Sequence, residues 1–334
     1  LRGVASCVPK TIIGNLDCPV EQRSERERLI RNIGIEKRRI CWPWQCFSDL
    51  ALEAAERLLE ALRWKREEVD ALIVVTQSPD YLIPATAIIL QDRLKLRTST
   101  IAYDINLGCS GYPFGLFTVG SMLAGGGIKR ALLLVGDKCA TMYDPLFSDC
   151  GTATALEFDP SAPRMFFDFN SDGSGYRAII LPIGGHRAPT EIHHLLPSKN
   201  DAGEISRPAD LVLDGAAVLS FSTQRAPPAI RSLCEFADKP IEQMDYVLLH
   251  QANRMINETI RKKLGLTPDR VPSTLHDFGN TSSASIPVTM TARIREPLTQ
   301  GKRRVLMCGF GIGLSWGTGI VETEDLVMPP LIEQ

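Results

Sequence analysis

Apolar residues recur along this chain with two alternating periods. Ser48–Leu62 (SDLALEAAERLLEAL) places Leu50, Ala54, Leu58 and Leu62 at helical spacing with charges between them. Ala71–Thr76 (ALIVVT) is instead a short β-branched run, the pattern of a strand covered on both faces. The same alternation returns downstream, which predicts an α/β protein with a mostly parallel sheet.

The pattern also repeats itself. Lys65–Gln77 (KREEVDALIVVTQ) and Pro240–Gln251 (PIEQMDYVLLHQ) each lead through an amphipathic stretch and an Asp into an apolar strand. Asp70 and Asp245 are 245 − 70 = 175 positions apart. Lys129–Gly136 (KRALLLVG) and Lys302–Gly309 (KRRVLMCG) match at 302 − 129 = 173. Between them, Pro84–Leu96 and Asn253–Leu266 both read as helices that end in a basic residue followed by Leu-x-Leu. Three matches in one order at nearly one offset predict a duplicated half of about 165–175 residues. The expected division is 1–165 and 166–334.

Composition narrows the class of partner. The 334 residues are 44% hydrophobic and 23% charged, as in an ordinary globular protein. A net charge of −2 offers no global basic field for nucleic acid or an anionic membrane. Apolar runs such as Ala131–Val135 fall far short of the roughly 18–20 residues a membrane helix needs. No secretory leader is visible, and because the sequence opens at Leu1 rather than Met a few preceding residues are expected. Nine cysteines are too dilute and too odd in number for a disulfide scaffold. None forms C-x-x-C, and His193–His194 are adjacent, so no metal site is expected. Reduced thiols in a cytoplasmic protein are the expectation.

Three segments carry candidate chemistry. Asp104–Leu116 (DINLGCSGYPFGL) sets Cys109 between Gly108 and Gly111, after an apolar strand and before a helical stretch. That suits a nucleophile on a tight turn, where a helix N-terminus would lower its pKa and neighbouring amides would hold an oxyanion. Tyr246–Asn257 (YVLLHQANRMIN) ends an apolar strand on His250, where open α/β sheets present groups to ligands. His276–Ser285 (HDFGNTSSAS) is a Gly-Asn turn among small hydroxyl residues. Taken singly, the cysteine fits a buried thiol, the histidine a structural ring and the turn an ordinary loop.

Together these segments resemble the β-ketoacyl-acyl carrier protein synthase III family of the thiolase superfamily. The resemblance runs through Gly34–Ile40 (GIEKRRI), the Cys109 turn, Phe147–Leu156, Ser171–Gly173, His250–Asn253 (HQAN), Gly279–Ser285 (GNTSSAS) and Gly309–Gly317 (GFGIGLSWG). It implies a thiolase-like five-layered αβαβα fold of two duplicated halves, an acyltransferase, and a homodimer. It implies that Cys109 becomes acylated, while His250 and Asn280 hydrogen-bond the thioester carbonyl of a malonyl-carrier substrate during decarboxylative Claisen condensation. Backbone amides of Cys109 and of Gly311, Ile312 and Gly313 would hold the oxyanion. No cofactor is expected: acyl-coenzyme A or acyl carrier protein serves as substrate, its phosphopantetheine arm entering the site.

The chain departs from the family's pattern in several places. Ile312 stands where a third glycine is usual, and a β-branched residue resists φ > 0, so a different loop geometry is expected. Ser148-Asp149-Cys150-Gly151-Thr152 is a loose version of the usual GDGAG-like stretch. At the donor entrance, Arg28 and Asn32 occupy the positions of the family's adenine-clamping tryptophan and arginine, which favours a carrier-protein donor or a specialised pathway. Arg254, Arg261, Lys262 and Lys263 follow His250 on a helix where the family receives acyl carrier protein, though they also fit a solvated basic face. Three rivals remain: transfer of the acyl group to an oxygen or nitrogen nucleophile, a thiolase, and a non-catalytic carrier-binding subunit. A thiolase would need a second cysteine, but Cys308 falls one residue before that position and so faces the other side of its strand. A non-catalytic subunit would be expected to lose Cys109 or His250.

Overall fold

The computed structural model describes residues 1–142, 144–199 and 205–334. Among these, two sheets dominate. The first has six strands in the order Ile332–Glu333, Gly3–Val8, Cys150–Glu157, Arg130–Asp137, Ala71–Val75, Ile101–Ile105. The second has four, in the order Phe166–Ser171, Ser315–Glu324, Lys302–Gly311, Tyr246–Leu249.

The two sheets share one plan. In the first, Ala71–Val75 pairs parallel with Arg130–Asp137, which pairs antiparallel with Cys150–Glu157, which pairs antiparallel with Gly3–Val8. In the second, Tyr246–Leu249 pairs parallel with Lys302–Gly311, then Ser315–Glu324 and Phe166–Ser171 follow antiparallel. The repeated aspartates do the same job in each. Asp70 donates its amide to the Arg130 carbonyl at 2.8 Å and accepts from the Lys129 amide at 2.7 Å. Asp245 donates to the Arg304 carbonyl at 2.9 Å and accepts from the Arg304 amide at 2.7 Å. Each carboxylate thus clamps the start of the neighbouring parallel strand.

Side-chain alternation then builds five layers. Ala71, Ile73 and Val75 point to a central layer that also holds Tyr112 and Leu116 of the helix Gly111–Ala124 and Ile286 and Met290 of the helix Ser285–Arg293. Leu72 and Val74 point outward, onto the helices Phe47–Leu62 and Thr86–Arg93. The second sheet behaves likewise: Val305 and Met307 face the centre, whereas Leu306 and Cys308 face the helices Gly215–Phe236 and Arg254–Lys263. Helix, sheet, helices, sheet, helix is the expected αβαβα arrangement of duplicated halves. With every sheet face covered, the strands read as apolar runs rather than as half-polar ones.

Two predicted helices are shorter than their sequence patterns. The Pro84–Leu96 pattern becomes a helix only from Thr86 to Arg93, where the Asp104 carboxylate accepts from the Thr86 and Ala87 amides at 2.7 and 2.8 Å and so caps the first turn. The Asn253–Leu266 pattern becomes Arg254–Lys263, with Asn253 as its cap: Asn253 Oδ1 accepts from the Ile256 amide at 2.9 Å. That cap starts the helix three residues beyond His250.

Candidate active site

The Cys109 turn joins the strand Ile101–Ile105 to the central helix Gly111–Ala124. It closes on itself through a Gly111 amide to Gly108 carbonyl bond of 2.7 Å. The second half presses directly against it. A Cβ on Gly309 would lie 2.9 Å from Ser110 Cα, and one on Gly311 would lie 2.6 Å from Cys109 Cβ. Ser110 Oγ and Ser315 Oγ meet at 2.7 Å across the same seam. The nucleophile turn is therefore held by backbone contact that only glycine permits at positions 309 and 311.

The glycine loop differs from the expectation drawn from Ile312. Gly311 and Gly313 take φ of 156° and 141°, and Ile312 is not among the residues with positive φ. The two glycines absorb the strained conformations, so the β-branched residue between them sits in ordinary backbone. Its amide hydrogen-bonds the Cys109 sulfur, as does the Ser282 side chain.

His250 extends the strand Tyr246–Leu249, its amide donating to the Cys308 carbonyl at 2.8 Å. Its neighbours in HQAN fix it. Buried Gln251 spans the Leu249 carbonyl, the Ser273 hydroxyl and the Thr274 amide, while Asn257 Nδ2 donates to the His250 carbonyl at 3.1 Å. The ring lies edge-on to Phe310, with centroids 5.5 Å apart, and Nδ1 meets Ser285 Oγ at 2.8 Å. Asn280 is placed by the first half: its amide donates to Leu146 and its carbonyl accepts from Ser148, both at 2.9 Å. Asn280 Oδ1 accepts from the Ser282 amide at 2.9 Å, and Nδ2 makes only a long contact of 3.5 Å to the Ala252 carbonyl. The carboxamide is thereby oriented with its donor end available.

Cys109, His250 and Asn280 line one cavity of about 420 Å³, together with Gly311, Ile312 and Phe310. Its outer part runs between the short pair Ile179–Ile180 with Val212–Leu213 and the helix Gly215–Phe236, where Leu181, Leu211, Leu213 and Val218 make the wall apolar.

The electrostatics reverse one expectation. Burial pushes the Cys109 thiol up to about 11, with Asp137 adding to the rise. Hydrogen bonds from Ile312, Ser282 and its own amide pull the other way without overcoming desolvation. Burial likewise drives His250 down to about 3. The site therefore pairs a neutral thiol with a neutral imidazole, which is a hydrogen-bond donor rather than an ion-pair partner.

Asp137, Ser282 and Ser285 were not singled out by sequence. Asp137 ends the strand Arg130–Asp137 and accepts from the Gln77 amide at 2.7 Å, Ser283 Oγ at 2.7 Å and Thr76 Oγ1 at 3.1 Å. A strand-end Asp was the available signal for it; Ser282 and Ser285 lie inside the GNTSSAS segment.

The outlying candidates are not part of this cavity. Arg28 is exposed on the helix Arg23–Ile33. Asn32 lines a separate surface depression with Arg31, Arg254, Met255, Glu258 and Lys262. Arg261 is held by Glu258 at 2.6 Å and by the Leu266 carbonyl, and Lys263 by the Thr223 carbonyl at 2.8 Å. Cys308 is fully buried on the outer face of its strand, while Gly309 faces Cys109.

Comparison with known proteins agrees across the whole chain. Residues 103–173 match the family model for 3-oxoacyl-[acyl-carrier-protein (ACP)] synthase III, and residues 234–323 match the model of its C-terminal part. The chain is 31% identical over 324 residues to a β-ketoacyl-[acyl-carrier-protein] synthase III of Streptococcus mutans, covering 94% of this chain and 96% of that protein. It is 31% identical over 331 residues to the enzyme of that name in Caldanaerobacter subterraneus, covering 96% and 97%. A crystal structure of a 3-oxoacyl-(acyl-carrier protein) synthase from Burkholderia xenovorans superposes with a TM-score of 0.92 at 36% identity, covering 100% of this chain and 96% of that one.

Proposed function

Since this chain belongs to the 3-oxoacyl-[acyl-carrier-protein] synthase III family, we propose that it condenses a Cys109-bound acyl group with a malonyl-type thioester on acyl carrier protein. It is an acyltransferase of thiolase-type fold. The observation that carries the residue assignment is the single cavity in which Cys109, a neutral His250 and an oriented Asn280 meet.

In the first half-reaction, Cys109 Sγ attacks the donor's thioester carbonyl. The tetrahedral oxyanion is held by the amides of Cys109 and Ile312, and as the carbon–sulfur bond to the donor breaks its sulfur takes up the proton that Cys109 gives up and departs as a thiol. In the second, the His250 N–H and Asn280 Nδ2–H donate to the malonyl thioester carbonyl. Carbon dioxide leaves without the bonding pair, which becomes the enolate those two donors stabilise. The enolate carbon then attacks the acyl-Cys109 carbonyl, and collapse of that intermediate releases the Cys109 thiolate to be reprotonated. A neutral imidazole suits this role because it donates without first losing a proton to solvent. Gly313 completes the loop without needing to donate.

We place carrier docking on the depression around Arg31, Arg254 and Lys262, a basic rim that complements an acidic partner. A homodimer is supported by the open edge of the strand Ile101–Ile105, on which Ile101 is 42% and Tyr103 38% exposed. Nine free cysteines fit a reducing, cytoplasmic setting. No helix among the described residues is long and apolar enough to cross a membrane.

The test is to supply an acyl donor and malonyl-acyl carrier protein, and to follow carbon dioxide and product together. Release of one carbon dioxide per β-ketoacyl-carrier formed is expected. An acyl-Cys109 that instead turns over only with an alcohol or amine, giving ester or amide, would overturn condensation.

A further inference from the structure

The outer cavity wall is largely apolar, and Asp210, Asn253 and Ser222 are polar side chains among its lining. The helix Gly215–Phe236 runs along it, and Gly215, Val218 and Ser222, at i, i+3 and i+7, present one face to the cavity. Ser222 is fully buried, yet its Oγ has no hydrogen-bond partner among the described residues. Helical serines commonly satisfy themselves on the carbonyl four residues back. Thr223, next along this helix, does so: its Oγ1 donates to the Leu219 carbonyl at 2.8 Å. Ser222 does not.

Six buried side-chain polar atoms lack a partner among the described residues, and Ser222 Oγ is the one of them whose residue lines this cavity. A buried hydroxyl with no partner in the protein is unfavourable, so its presence asks for a partner that arrives with the substrate.

We propose that Ser222 is a substrate-binding residue whose hydroxyl pairs with an amide group of the phosphopantetheine arm as the arm passes between the helix Gly215–Phe236 and the segment Ala252–Ile256. The chemistry matches at each point. The arm has methylene and dimethyl portions that suit Leu211, Leu213 and Val218, and amides that each need one buried partner. The thioester sulfur is followed by two methylenes and then the first amide, so a thioester seated at His250 and Asn280 carries an amide back along this wall. A hydroxyl can donate to the amide carbonyl or accept from its N–H. Ser222 would then select arm-bearing thioesters over short ones, since a site built to pair a polar group discriminates against a ligand that lacks it.

This inference rests on the condensing reading only for the identity of the arm, and the experiment separates the two. Pantetheine binding to the full chain is measured by calorimetry for the wild type and Ser222→Ala, alongside thermal melting. Mass spectrometry follows Cys109 acylation from an acyl-pantetheine and from the matching acyl ethyl thioester, which has no amide. Ser222→Ala should bind pantetheine about two- to tenfold more weakly, the worth of one neutral hydrogen bond. The preference for acyl-pantetheine over the ethyl thioester should fall by a similar factor, and the melting temperature should hold or rise because an unpaired group is gone. Equal pantetheine affinity in the two proteins, or a lower melting temperature with an unchanged preference, overturns the proposal. If wild-type Cys109 takes up no acyl group, the condensing reading fails while the binding comparison still decides Ser222.

Discussion

The thiol of Cys109 and the ring of His250 line one cavity, and the burial of each sets how it can act. Asp137 is buried close behind them and adds negative charge, so the free thiol stays protonated near neutrality. Because burial raises the Cys109 pKa, its thiolate population grows only as pH climbs towards about 11. Alkylation of Cys109 by iodoacetamide should therefore still be rising at pH 9–10, beyond the ordinary thiol value of about 8.5. Asp137→Asn removes the nearby charge while keeping groups that can meet Gln77 and Ser283, so the profile should move to lower pH. A plateau below pH 8 in the wild type, or a shift to higher pH in the variant, would contradict this account. His250 follows the opposite sign: its folded pKa lies below the unfolded value, so its contribution to stability is present above about 6.5 and is lost as pH falls towards 3. Cys109, His250 and Asn280 stood out in the sequence only as a combination of three segments, and the structure lines one cavity with all three. Asp137 and Ser222 did not stand out, since their roles come from which cavity they border, and no local pattern encodes that.

The helix Arg254–Lys263 shows why basic residues of one sequence segment cannot share one role. Its last-turn carbonyls are already met, those of Ile260, Arg261 and Lys262 by the amides of Leu264, Gly265 and Leu266 and that of Lys263 by Arg231, so the cations there are free to reach other segments. Arg261 spends its guanidinium on the Leu266 carbonyl and Glu258, and Lys263 reaches across to the Thr223 carbonyl. Arg254 and Lys262 line the depression with Arg31, where we propose that a carrier protein docks. Arg254→Glu with Lys262→Glu should raise KM for a carrier-bound substrate about tenfold or more with little change in melting, as expected when surface charge complementarity is reversed. Arg261→Ala should instead cost about 1 kcal/mol of stability, the scale of a lost hydrogen bond to the following segment, and leave KM for the carrier nearly unchanged. The reverse pattern in urea melts and carrier titrations would move the docking site along the helix. The helix itself, its Asn253 cap and the repeat it belongs to were readable from spacing. Which of its charges are already engaged was not, because Leu266 and Thr223 lie in other elements and enter only through the fold.

At the scale of the whole molecule the open question is which donor loads Cys109, and the outer surface bears on it. An adenine held between an aromatic face and a guanidinium gains on the order of 1 kcal/mol from each contact. Here the helix Arg23–Ile33 offers Arg28 and Asn32 at those positions, both exposed and neither lining the catalytic cavity. Losing a combined ~2–3 kcal/mol would weaken a coenzyme A donor by roughly a hundredfold. A carrier-protein donor needs no adenine clamp. Its affinity would come from the basic rim at Arg31, Arg254 and Lys262 and from the arm inside the apolar wall. We therefore expect Cys109 to be acylated much faster from an acyl carrier protein than from the same acyl group on coenzyme A. The two donors also respond differently to ions. Exposed charges are screened beyond about 8–10 Å near physiological ionic strength, so added salt should slow loading from the carrier. Loading from pantetheine, which carries neither adenine nor an acidic surface, should respond little to salt, and so isolates the part of the rate that belongs to the tunnel. Stopped-flow acylation with the three donors across a salt series decides the matter. Coenzyme A loading as fast as the carrier, with no salt effect on the carrier reaction, would mean that Arg28 stacks on adenine in place of the missing aromatic ring.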